Sequence, residues 1–179
     1  MHYQDVLTFW FDELTPEQWF VKDQSVDELI KSRFSYFLTA ASRVELFAWR
    51  ESAAGALAEI LVLDQFSRNV YRDKPAAFAQ DPLALALAQE AIRRGLNQEL
   101  TAEQRSFLYM PFMHSESRHI HEQAVELFSE PGLENNLKFE LAHKEIIDRF
   151  DRYPHRNQIL GRVSTAEEIE FLKQPGSSF

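Results

Sequence analysis

A chain of 179 residues that is 45% hydrophobic, with 15 Phe, 5 Tyr and 3 Trp, can bury a core of its own and is too apolar for intrinsic disorder. It has no cysteine, which excludes a disulfide framework, a thiolate metal site and a cysteine nucleophile. A net charge of −9 opposes nonspecific contact with nucleic acid or anionic lipid. With no signal peptide and no long apolar run, the expectation is one cytoplasmic domain over residues 1–179, its 174–179 tail frayed, with no nucleic-acid or membrane partner.

Apolar residues recur at three- and four-residue spacing with only 5 Gly and 7 Pro between them, so the predicted fold class is all-α. A short first helix carries Val6, Leu7, Phe9, Trp10 and Phe11. A second begins near Asp23 and lines up Val26, Leu29, Ile30, Phe34, Phe37 and Leu38 on one stripe. From Ala53 to Tyr71 few positions are polar, which marks a central helix. Asp81-Pro82 opens the next helix, with Asp81 as its cap, and Gly95 stops it. Thr101 and Gln104 form a capping box for a helix expected to kink at Pro111 and run on to Phe128. Phe139, Ala142, His143, Ile146, Ile147 and Phe150 share the stripe of another, ended by Pro154. Ser164 and Glu167 are expected to cap a last short helix. Short connections between such helices predict antiparallel neighbours: stacked αα-hairpins or an irregular bundle.

Several polar residues stand where the stripes call for apolar ones. Asp64 and Arg68 replace two members of the central helix's apolar row, and Gln65, Asn69 and Arg72 follow them. Flanked by Val62, Leu63 and Phe66, the two charges are expected to be paired, because a lone buried charge is very costly. His114 and Glu116 interrupt apolar rows after Pro111, and His143 interrupts another. Arg149, Arg152, Arg156 and Arg162, with Asp151 as the one acid among them, give a +3 stretch that also holds His155 and Asn157. Arginine forks bind carboxylates and phosphates bidentately. The competing reading is a structural network in which Asp64, Glu116 and Asp148 neutralise these arginines. Two Glu-x-x-His spacings, Glu116 to His119 and Glu140 to His143, suit di-metal sites in bundles. Their helical rows argue against it, so no metal and no cofactor is expected, and His119 and His121 read as a surface pair.

Leu63-Asp64-Gln65-Phe66-Ser67-Arg68-Asn69, Phe107-Leu108-Tyr109-Met110-Pro111-Phe112 with His114-Ser115-Glu116, and Arg149 through Asn157 to Leu160-Gly161-Arg162 together resemble the bacterial family called domain of unknown function 924. The resemblance extends to Phe9-Trp10-Phe11 and Trp19-Phe20. It implies a tetratricopeptide-like helical superhelix and no known reaction. The family pattern has proline at Ser67, glycine at Asp73 and Asp151, and phenylalanine at Tyr153, so local turn geometry is expected to differ there.

The leading expectation is a pocket for a small phosphorylated or carboxylated ligand, or an acidic peptide. Its binding residues would be Gln65, Arg68, Asn69, Arg72, His114, His143, Arg149, His155, Arg156, Asn157 and Arg162, with Asp64 and Glu116 orienting the arginines. A second reading is a hydrolase with His114 or His155 as general base and an arginine stabilising negative charge. A third is a sealed salt-bridge network with a protein-interaction role.

Overall fold

The computed structural model describes residues 2–179, and among these every regular element is helical. Helix α1 (Tyr3–Thr8) widens into a π-helical turn (Phe9–Glu13) and is followed by α2 (Pro16–Phe20) and α3 (Gln24–Ser42). Asp23 starts α3 by accepting from the Ser25 and Val26 amides, which satisfies donors the helix itself leaves open. Val26, Ile30, Phe34, Phe37 and Leu38 of the expected α3 stripe then face inward, whereas Leu29, at the edge of the stripe, is exposed.

Helix α4 (Ala53–Leu61) is buried at every residue except Ala54 and packs against α1, α6 and α7. The approach of α4 to the preceding 3-10 turn (Phe47–Glu51) requires Gly55, where a Cβ would lie 2.1 Å from the Trp49 carbonyl oxygen. The single helix expected from Ala53 to Tyr71 is interrupted: α4 passes into a π-helical turn (Val62–Phe66) and then α5 (Ser67–Val70). One extra residue in a turn rotates the following side chains by about 100° relative to the earlier row. Asp64 sits in that widened turn. The Phe66 ring caps the aromatic core, 5.0 Å from Phe34, 5.7 Å from Trp10 and 6.1 Å from Phe9.

A 3-10 turn (Pro75–Ala77) leads to α6 (Asp81–Arg93), stopped as expected at Gly95, whose φ of 77° suits a residue without a Cβ. After a 3-10 turn (Leu96–Glu99), α7 (Ala102–Met113) opens on the predicted Thr101–Gln104 capping box. The expected run to Phe128 does not occur. Pro111 offers no amide hydrogen to the carbonyl four residues earlier, α7 ends two residues on, and α8 (Arg118–Phe128) begins afresh. The break leaves His114, Ser115 and Glu116 in a connection rather than on a helix face.

Helix α9 (Glu134–Phe150) ends at Asp151, and a 3-10 turn (Pro154–Arg156), α10 (Asn157–Leu160) and α11 (Ala166–Phe171) follow. The last cap is Thr165 with Glu168, one residue beyond the Ser164–Glu167 pair expected. Helices α6, α7, α8 and α9 each pack on the next, as short connections require. Within residues 174–179, for which fraying is expected, Ser177 donates to the Leu172 carbonyl and the Phe179 ring stacks on His143 at 3.6 Å, while the other tail residues are exposed. No helix is long and apolar enough to cross a membrane among the described residues.

Asp73 and Asp151, where the family pattern carries glycine, have φ of 60° and 57°, so the left-handed turns persist with aspartate in them. Ser67 has φ of −57°, a value a proline ring also adopts.

Candidate functional site

A recess of about 420 Å³ opens between the Pro75–Ala77 turn, the start of α6, the end of α7 and the Pro154–Arg156 turn. Phe78, Pro82, Leu85, Pro111 and Leu160 supply apolar walls, and Asp81, His114, Ser115, Glu116 and Arg156 supply the polar groups. The α7 break brings His114 and Glu116 here, and Pro154 starts the turn that carries Arg156.

Behind the recess lies Asp64, wholly buried. Its Oδ1 accepts from His114 Nδ1 at 2.7 Å and its Oδ2 from Gln65 Nε2 at 2.6 Å, while Arg68 Nη1 donates to its carbonyl oxygen at 2.8 Å. Burial alone would raise the Asp64 carboxyl, but His114 and Arg68 outweigh it and hold it at about 2. His114 is lowered from its ordinary value, first by burial and then by Arg68. That direction holds against the pull of Asp64 because this carboxylate already shares its charge with Arg68 and Gln65. The lowered pKa favours the neutral imidazole, and the contact with Asp64 puts its proton on Nδ1 and the lone pair on Nε2.

Arg68 turns its fork onto Asp81, at 2.8 and 3.0 Å. That leaves Arg156 without a carboxylate of its own: its Nη1 reaches Asp81 only at 3.5 Å, its Nη2 donates to the His114 carbonyl at 3.0 Å, and its buried Nε has no acceptor. The guanidinium lies between the Phe78 and Tyr153 rings, 4.5 and 4.7 Å from their centroids. Burial and the nearby Arg68 both lower its pKa. A guanidinium still stays charged at neutral pH.

The remaining predicted residues do not converge on one point. Asn69 and Arg72 both turn to Asp27 on α3. Arg149 pairs with Glu167 on the surface. Arg162 is closed by a bidentate contact with Glu116, at 2.8 and 2.9 Å, and also donates to Asn157 Oδ1 and the Tyr153 carbonyl. Asn157 donates to Ser164 and Glu168. Glu116, lowered despite its burial by Arg162 and the Tyr153 amide, faces both the recess and this network. His143 donates to the Phe139 carbonyl and lies under Phe179, with burial pushing its pKa down to about 3. His155 is pushed down to about 4, chiefly by burial and then by Arg156, and its Nδ1 has no partner. Gln65 and Arg68 act on Asp64 and Asp81 from behind the recess. Asp148, expected to neutralise an arginine of this segment, pairs with Lys144 instead.

Asp81 was legible only as a helix cap, yet it lies inside α6 and is the carboxylate partner of Arg68. His121 corrects the surface-pair reading. His119 is exposed, but His121 is wholly buried on Glu140 at 2.6 Å. His121 Nε2 faces the Ser115 carbonyl at 2.8 Å, and a carbonyl only accepts, so Nε2 carries a proton and Nδ1 and Glu140 share one more. Tyr153 donates to the Met113 carbonyl beside it. These contacts pin the 113–116 connection from below. The spacing between His121 and Glu140 crosses a helix–helix turn, so no local motif announces it. Among the described residues no group of three His, Asp or Glu is placed to hold a metal ion.

The geometry defines an all-helical protein with a half-apolar recess floored by a charge-balanced arginine–carboxylate network and an aspartate-held histidine. The chain belongs to the family described as bacterial protein of unknown function (DUF924), whose model matches residues 6–176. The solved structure of the unknown-function protein ATU0120 from Agrobacterium tumefaciens is similar to it, with a TM-score of 0.91 and 40% sequence identity over 96% of both chains. A search of curated proteins finds no match.

Proposed function

We propose that the recess binds a small molecule with an apolar body and one carboxylate, and that Arg156 receives the carboxylate. The observation carrying this reading is that Arg156 is a buried guanidinium in the wall of a recess, with an unpaired Nε and no carboxylate of its own. A buried donor left without an acceptor is costly, so a ligand carboxylate there supplies the hydrogen bond that folding leaves unmade.

Charge balance narrows the anion. Arg68, Arg156 and Arg162 stand against Asp64, Asp81 and Glu116, and two of those carboxylates line the recess. A phosphate dianion or a multiply acidic peptide would meet Asp81 and Glu116 at close range with two or more charges, whereas a monocarboxylate brings one charge to the unfilled donor of Arg156. The cysteine-free, acidic composition supports a cytoplasmic setting for this binding.

Titrating the ¹⁵N-labelled protein with butyrate, octanoate and inorganic phosphate tests the reading. The carboxylates are expected to shift amides of residues 114–116 and 154–157, octanoate more strongly than butyrate and phosphate least. Arg156→Met is expected to weaken carboxylate binding at least tenfold, consistent with loss of a charge-assisted contact worth about 1.5–3 kcal/mol. Equal binding by Arg156→Met, or no carboxylate binding at millimolar concentration, overturns it.

A further inference from the structure

We propose that this recess hydrolyses carboxylic esters, with His114 as the general base that activates water and Arg156 facing the developing oxyanion. The inference rests on the carboxylate-binding reading above, because the carboxylate held by Arg156 is then the product of the reaction.

Three features of the site converge on this chemistry. His114 is tied through Nδ1 to a carboxylate, which sets the tautomer and leaves the Nε2 lone pair free, and the imidazole lines the recess. Asp64 is itself held by Gln65 and Arg68, so the base has little freedom to turn. Arg156 donates to the main-chain carbonyl of His114, and both residues line the recess. General base, orienting carboxylate and oxyanion partner are the parts a hydrolytic centre needs.

The nucleophile is water, since there is no cysteine and His114 is adjacent in sequence to Ser115 rather than directed across a gap at a hydroxyl. The water oxygen bonds to the ester carbonyl carbon while His114 Nε2 takes one of its protons. The tetrahedral intermediate, its oxyanion against Arg156, collapses with breakage of the bond to the alkoxy oxygen. His114 returns its proton to that oxygen and the alcohol leaves. The acid loses its remaining proton to solvent and stays as carboxylate on Arg156 until it exchanges. An ester is neutral before attack and develops a single negative charge, which suits a site whose guanidinium keeps one unfilled donor. A phosphoester would bring a charge that Asp81 and Glu116 repel.

Asp64 is a positioning residue, and its removal is expected to alter the pH profile as well as the rate. The charged and titratable groups around His114 are Asp64, Arg68, Asp81, Glu116, Arg156 and His143. With His114 lowered, the rate plateau is expected to extend below pH 6.5 before the acid limb begins.

The test is hydrolysis of 4-nitrophenyl butyrate by the full chain, with butyrate binding measured in parallel. Saturable hydrolysis is expected, with kcat/KM reduced about 100-fold or more in His114→Gln, as for loss of a general base. His119→Gln, which alters an exposed imidazole, is expected to keep the wild-type rate, and Ser115→Ala, which removes a hydroxyl from the recess wall, is expected to retain saturable hydrolysis. Asp64→Asn is expected to retain part of the rate with a displaced acid limb. Because His114→Gln leaves a side chain able to donate to Asp64, its folding is checked by its thermal melt, and the wild-type pH profile stands independently of any variant. Equal rates in wild type and His114→Gln, a rate lost in Ser115→Ala, or a profile with no titration below neutrality each overturn the proposal. Butyrate binding without His114-dependent hydrolysis overturns the catalytic inference and leaves the binding reading intact. Failure of butyrate to bind overturns the binding reading and the product assignment with it.

Discussion

Arg156 and Arg162 are six residues apart on the same C-terminal segment, yet they meet opposite environments. Arg162 has a complete set of acceptors, two oxygens of Glu116, the Asn157 amide oxygen and the Tyr153 carbonyl, and so closes a structural contact. Arg156 has aromatic faces on both sides, one main-chain acceptor, and a share in a carboxylate already taken by Arg68. A guanidinium whose acceptors are complete stabilises the fold, and one whose acceptors are incomplete beside a recess is available to a guest. Residue type alone does not separate the two cases.

The comparison is sharpened first at Arg68, which serves both regions from behind. Arg68→Met would leave Asp64 buried and Asp81 partly buried without their cation, and chemical denaturation is expected to show a loss of about 3–5 kcal/mol. Arg162→Met is expected to cost less, about 2 kcal/mol, because Glu116 can turn to water and still accept the Tyr153 amide. Arg156→Met is expected to change stability by no more than about 1 kcal/mol in either direction, since it removes an incompletely paired buried cation and offers apolar contact to Phe78 and Tyr153. If the melts show Arg156→Met as costly as Arg162→Met, the distinction between the sealed and the open arginine is wrong.

The histidines extend the test to pH. His143 and His155 are pushed down to about 3 and 4 by burial, so between pH 6.5 and those values the unfolded chain takes up protons that the folded one refuses. Their stabilising contribution is whole above pH 6.5 and declines as pH falls through that window. His143→Phe is expected to flatten the decline in Tm across it, with the phenyl ring still able to stack on Phe179. The smallest effect concerns the turns: Asp73→Gly relieves a positive φ at an exposed ion pair with Lys22 and is expected to gain at most about 1 kcal/mol in a denaturant titration.

Much of the local architecture was legible because it depends on near neighbours. The Thr101–Gln104 box, the stop at Gly95 and the inward stripe of α3 follow from spacing within one or two turns. The failures share a cause. The π-helical turn at Val62–Phe66 carries no composition signal, and the end of α7 after Pro111 depends on what receives the following residues. Asp81 was masked by its resemblance to a cap, and His121 by the polar company of His119 and Glu122. In the site, His114, Glu116, Asp64 and Arg68 stood out as charges in apolar rows, and the structure brings them together. Asn69, Arg72 and Arg149 had the same appearance in sequence and point to Asp27 or to solvent-facing Glu167.

By itself the sequence determined the helical class, several helix ends such as Asp23, Gly95 and Thr101, and the need for buried charges to be paired, because periodicity, capping and desolvation act over a few residues or on a single group. Which carboxylate pairs with which arginine was decided only in the tertiary structure. Asp27, Asp81, Glu116 and Glu168 lie between 11 and 75 positions from the groups they bind. Contacts at such separations depend on how whole helices pack, and a recess walled by one guanidinium with an unfilled donor is what their packing leaves.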